Sequence, residues 1–120
     1  MDALVIGEVD GELSIGLSVP PGESTFEIRP KISFAARSVR LEGDLEAIWV
    51  RDILVGHNSQ LISPLFPEYP RPEIEATVFA QGIVLKLDTA HPSWGIRMKV
   101  MNKAGTCASL RVIYTGEHVE

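Results

Sequence analysis

The sequence predicts an all-β chain, folded as an antiparallel sandwich or barrel of about eight strands. Three observations predict it. Apolar residues alternate with polar ones along most of the 120 residues, the period of a strand with one buried face. Gly, Pro, Asn and Asp interrupt that alternation at the spacing of roughly 8–12 residues expected of short strands. No window of about 11 residues or more carries the three-and-four spacing of an amphipathic helix.

Each element follows from local chemistry. Ala3–Ile6 is a short apolar run closed by Gly7. Glu12–Val19 places Leu13, Ile15, Leu17 and Val19 on one face and Ser14, Gly16 and Ser18 on the other, a half-buried strand. Pro20-Pro21-Gly22 ends it. Thr25–Ala36 keeps a period of two through Phe26, Ile28, Ile32 and Phe34, broken at Pro30. Proline cannot donate to a ladder, so this strand is expected to lie at an edge or bend there. Val39 and Leu41 extend the pattern to a turn at Glu42-Gly43-Asp44.

Ala47–Val55 is the densest run of large apolar residues. A regular strand would put Trp49 and Ile53 on one face and Ile48, Val50 and Leu54 on the other. That predicts a central strand covered on both sides, with Trp49 in the core. Gly56-His57-Asn58 breaks the run, and Ser59–Ser63 begins another strand. Pro64–Pro72 has four prolines in nine residues, which forbids helix and central strand. It is expected to be an extended surface loop. Ala76–Ala80 and Gly82–Asp88 are predicted strands, Thr89–Ser93 a loop and Trp94–Asn102 a strand. Asn102–Gly105 is a turn, Cys107–Thr115 the last strand and Gly116–Glu120 a tail.

At 120 residues the chain is one domain by size, and its 45% hydrophobic content suffices for a core. The net charge of −5 is unevenly placed. Asp2, Glu8, Asp10, Glu12 and Glu23 fall in the first 23 residues, which contain no Lys or Arg. The expected division is therefore an acidic segment, residues 1–23, with one or two short strands and a role as contact arm, followed by a sandwich over residues 24–120. An acidic chain without a basic block argues against nucleic-acid binding, which needs cations to displace counterions. It argues equally against anionic membranes. Cys107 is the lone cysteine, so no intrachain disulfide and no thiolate zinc cage can form. The start MDALVIGEVDGE lacks the basic flank and apolar length of a signal peptide.

Candidate chemistry is sparse. His57, His91 and His118 fall on a turn, a loop and the tail, without metal-ligand or metalloprotease spacing, and are expected to be exposed. Ser59 lacks a nucleophile elbow. Asp52 and Asp88 lie in or at the end of strands, and Asp52 is expected to pair with an arginine. Glu42, Asp44 and Glu46 cluster oxygen ligands without the spacing of a calcium loop. No catalytic residue, metal or cofactor is therefore expected. Trp94 and Tyr69 offer rings that could stack on a sugar, although burial of Trp94 at the end of the core is the plainer expectation. Leu65, Phe66 and Tyr69 in the proline loop are apolar enough to anchor a partner. Asp2, Glu8, Asp10 and Glu12 would suit a basic surface.

Two stretches carry a resemblance. DILVGHNSQL (Asp52–Leu61) and GIVLKLDTAHPSWGIRMKVMN (Gly82–Asn102) look like parts of small single jelly-roll proteins among the virion structural genes of bacteriophages. The shared order is an I-x-V-G-x-x-S-Q turn, here Ile53, Val55, Gly56, Ser59 and Gln60. A Pro-rich loop with aromatics follows. Next comes a strand ending L-x-L-D-T, here Leu85, Leu87, Asp88 and Thr89, then a strand ending at Asn102. The resemblance covers roughly residues 30–115. It implies a jelly-roll fold and a non-enzymatic role decorating or cementing a capsid. The implied partners are the major capsid protein or another virion protein, and further copies of the chain, with a trimer as one order. The implied location is the virion. The rival reading is a carbohydrate-binding module that uses Trp94 and Tyr69.

Overall fold

The computed structural model describes residues 5–9, 11–60 and 74–119. Among these the chain is all-β, in two antiparallel sheets. Its strands are β1 (Val5–Val9), β2 (Glu12–Val19), β3 (Gly22–Ile28), β4 (Phe34–Gly43), β5 (Ile48–Val55), β6 (Asn58–Ser59), β7 (Ile74–Glu75), β8 (Ile83–Val84), β9 (Ile96–Asn102) and β10 (Ala108–His118). One sheet has the order β1-β2-β10-β4-β8. The other has the order β3-β9-β5-β6, with β7 also on β5.

The pairings are nested. β2 pairs with β10, β3 with β9, β4 with β8, and β5 with β6 and β7. The chain is thus one long hairpin doubled back on itself. Rolling it up adds the pairs β4–β10 and β5–β9 and sends β2 to β5, and again β8 to β10, to alternate sheets. That is the jelly-roll order, the expected fold class.

Alternation does what it predicts along β2, β3 and β9. Leu13, Ile15, Leu17 and Val19 meet Phe26 and Ile28, and Ile96, Met98 and Val100, in one continuous core. Tyr114 of β10 lies at its centre, 1% exposed, and burial pushes its phenol above the ordinary range. Asn102 makes the corner between sheets. Its Nδ2 donates to Val19 O and Thr106 O, each at 3.0 Å, and its Oδ1 accepts from Ala104 N at 2.9 Å. Backbone groups that leave a ladder at a corner need such partners.

Several expectations are corrected. β2 is an inner strand bonded along eight residues to β10, so the boundary at residue 23 divides nothing. Thr25–Ala36 is two strands in different sheets, with Pro30 in the crossover. Ile32, expected inside, is 46% exposed there. β5 does not keep one parity. Arg51 is an extra residue against β9, and this bulge turns Val50 and Ile53 to the same, inner side. Trp49 and Leu54 therefore sit half-buried on the outer face, and Trp49 is not a core residue.

Ala76–Phe79 is a 3₁₀ turn, not a strand, and its three-residue repeat buries both Ala76 and Phe79. Gly82–Asp88 pairs regularly only at Ile83–Val84. Beyond that, Leu85 and Leu87 donate to Arg37 O and Ala36 O. Most of the expected tail Gly116–Glu120 is strand: Gly116, Glu117 and His118 continue β10 against Ala36, Ala35 and Phe34 after a register shift, and Glu120 lies outside the described residues. The proline loop Pro64–Pro72 lies outside the described residues.

Candidate functional site

The two-residue turn between β5 and β6 starts at Gly56, whose φ of +62° suits glycine. Trp94 lies over it: a Cβ on Gly56 would approach Trp94 Cδ1 to 3.4 Å. The ring also meets His91 edge-on, with centroids 4.4 Å apart. Backbone bonds between His91 and Trp94 close a second turn that carries both rings, and the His91 ring is held by Ser33 Oγ at 2.8 Å from Nδ1. Trp94 is thus fixed from below while 46% of it remains exposed. It is not the core cap that its size suggests.

Glu27 and Arg97 lie directly opposite each other on β3 and β9, on the outer face. Arg97 Nη2 donates to Gly56 O at 2.5 Å and braces the turn. Glu27 accepts from Arg29 Nε at 2.9 Å and, through its other oxygen, from Gly95 N at 3.4 Å. Gly95 must be glycine, since a Cβ there would lie 2.0 Å from Ile28 O. Glu27, Arg29, Arg97, Gly56 and Trp94, with His57, Asn58 and Ser93, line an open groove of about 510 Å³ at one end of the sandwich. That size is within the range of small-ligand sites.

A second groove, of about 470 Å³, runs along the outer face of the β2 sheet. Gly7, Ser14, Gly16, Ser18, Ser109 and Arg111 line it. It is a shallow channel over small side chains.

The structure separates the expected contact residues. Asp2, Asp10, Leu65, Phe66 and Tyr69 lie outside the described residues, as does any meeting of Tyr69 with Trp94. Glu12 opens β2, half-buried and opposite Val9 and Thr115. Glu8 is engaged within the protomer rather than held out to a partner. Both of its carboxylate oxygens accept from Lys31 N at 3.0 Å, and one lies 2.9 Å from His118 Nε2. His118 packs edge-on against Phe34, 4.9 Å between centroids. Of the three histidines expected to be exposed, His57 is exposed, and His91 and His118 are partly buried and bonded.

Asp52 accepts from Ile53 N at 2.8 Å and Ser59 Oγ at 2.6 Å, while Arg51 reaches Glu23 at 3.3 Å. The expected arginine pairing of Asp52 is replaced by this turn-closing contact. Gln60 clamps Asp88, accepting from its backbone N at 2.9 Å and donating to its carboxylate at 3.2 Å. Asp44 accepts from Ser109 N at 3.0 Å and Glu42 lies 3.5 Å from Arg40. Among the described residues, no three His, Cys, Asp or Glu side chains gather as a metal site would require.

Sequence reasoning found Trp94 and missed Glu27, Arg29 and Arg97. Alternation alone puts Glu27 and Arg97 on outer faces. Only the β3–β9 register brings them together.

No family model matches the sequence, and no curated protein matches it. Among solved structures, the nucleoplasmin-like N-terminal domain of Drosophila FKBP39 is similar over 95% of this chain and 98% of its own. The identity is 12% and the TM-score 0.40. The fold assignment rests on the strand pairings themselves.

Proposed function

We propose that the protein is a non-enzymatic virion structural protein that decorates or cements a bacteriophage capsid through contacts with its own copies and with capsid protein. One observation carries this reading. The residues that bear the phage resemblance are tied to one another as structural pins. Ser59 closes on Asp52, and Gln60 clamps Asp88. Asn102 pins the corner. The resemblance thus falls on the framework of a jelly roll, an architecture common in capsid proteins. The loop Pro64–Pro72 follows the Gln60 clamp directly and remains the proposed anchor, through Leu65, Phe66 and Tyr69. Asp2, Asp10 and Glu12 remain the proposed acidic contacts.

The test is particle composition. Particles purified from a producing lysate should contain the protein at fixed stoichiometry by mass spectrometry, at a defined position by imaging. Phe66→Ala with Tyr69→Ala should lower occupancy and leave melting unchanged. Abundant protein in the lysate with none in the particles would end the reading.

A second reading, a carbohydrate-binding module, is favoured by the fixed, exposed ring of Trp94 at the mouth of a groove of ligand size. A glycan array probed with the wild type and Trp94→Ala tests it.

A further inference from the structure

The Trp94 groove differs in charge from the molecule around it. The chain carries −5, yet Arg29 and Arg97 bring two guanidinium groups to this groove against the one carboxylate of Glu27. Two positive charges and one negative leave one positive. Trp94 is already immobilised on Gly56 and His91, so a ligand stacked on it need not also pay for ordering the ring. An indole face suits the C–H face of a sugar ring. Asn58 and His57 also line the groove and offer hydrogen-bonding partners for hydroxyls.

The charge balance narrows the class. A single net charge, with Glu27 inside the groove, suits a monoanion. A phosphate dianion would face Glu27 with too little compensation. We infer that the groove binds a saccharide residue bearing a carboxylate, its ring on Trp94 and its carboxylate towards Arg29 and Arg97. This rests on the carbohydrate reading of the groove. Glu27 is a positioning residue: it draws Arg29 in and fixes Gly95.

The experiment uses the full chain on an array of uronate-ended and sialate-ended glycans, each beside its neutral counterpart. Hits are followed by the indole N–H resonance of Trp94, assigned with Trp94→Phe. At least one acidic series should bind more tightly than its neutral counterpart by about two- to fivefold, the range of an exposed charge pair. The series that responds separates the two sources of carboxylate. Trp94→Ala should abolish binding. Arg29→Gln should bring the ratio of acidic to neutral binding, read within that variant, towards one, and added salt should erode the same preference. Equal binding of acidic and neutral glycans would overturn the inference and leave the carbohydrate reading standing. No binding in either series would overturn both.

Discussion

The two sheets of the sandwich have like inner faces and unlike outer faces. Inside, Leu13, Ile15 and Tyr114 of one sheet meet Ile53, Met98 and Val100 of the other, all fully buried. Outside, β2 and the start of β10 carry Ser14, Gly16, Ser18 and Ser109, with Gly7 beside them, while Arg111, Arg40 and Glu42 flank this strip. The outer face of the β5 sheet carries Trp49, Leu54, Arg97, Lys99 and Met101, all half-buried under one another. Lys103 Nζ sits 4.2 Å above the Trp49 ring. The second face covers itself with long side chains. The first has a strip of small side chains bounded by Arg111 and the Arg40–Glu42 pair. Stability is shared between the sheets, and their capacity for contact is not.

The largest effects test the shared inner face. Tyr114→Ala should cost about 3–5 kcal/mol and Met98→Ala about 2–5 kcal/mol in urea denaturation. A cheap change on one side only would show that the two halves of the core are not equivalent. Tyr114 also gives the core a pH signature. Its phenol is raised by burial above its ordinary value of 10.0, so the unfolded chain ionises first. Stability should be unaffected by this group below about pH 10 and fall as pH rises beyond it. Tyr114→Phe should flatten that fall relative to wild type.

A middling effect tests an edge. The β2 sheet ends in β1, which Glu8 fastens to the β3–β4 crossover and to β10. Its side chain is 13% exposed and that of His118 18%. Glu8→Gln should cost roughly 1.5–3 kcal/mol, the range for hydrogen bonds to a charged group. Removing Met1–Glu12 should destabilise the domain as well, since β1 pairs with β2 along five residues. An unchanged midpoint in both variants would make β1 an appendage. On the other sheet, Trp49→Ala should cost about 1–2 kcal/mol, less than the 3–5 of a fully buried ring. A cost at the higher figure would mean that the outer face of β5 is covered after all.

The inner faces were legible in the sequence and most of the rest was not, for physical reasons. Alternation along Glu12–Val19 and Ile96–Asn102 reports directly which side chains leave water. It fails at Arg51, because one bulged residue inverts parity and leaves no local mark. It fails at Ala76–Phe79, where four residues are too few to separate a three-residue period from a two-residue one. His118 read as tail because Gly116 resembles a stop, although here it sits at a bulge in β10. The candidate groove depends on register: Glu27 and Arg97 are 70 residues apart and meet only once β3 has paired with β9. Trp94 could be named as a candidate, but its exposure follows from the close His91–Trp94 turn over Gly56.

The smallest effect on stability carries the sharpest test of the outer faces. Ser18→Lys and Ser109→Lys each add a long cation to the channel on the β2 sheet. Neither side chain contributes to the core, and lysine can extend into water, so each should change stability by no more than about 0.5 kcal/mol. If this face is where the protein meets another virion surface, the added side chain holds that surface off and buries a charge without a partner. Particle occupancy should then drop sharply with melting unchanged. Thr25→Lys, exposed on the outer face of β3, is the matched control and should leave occupancy intact. Loss with Thr25→Lys and not with the serine variants would move the contact to the self-covered sheet. Wild-type occupancy in all three would leave the proline loop as the attachment, which the Phe66 and Tyr69 variants then test by themselves.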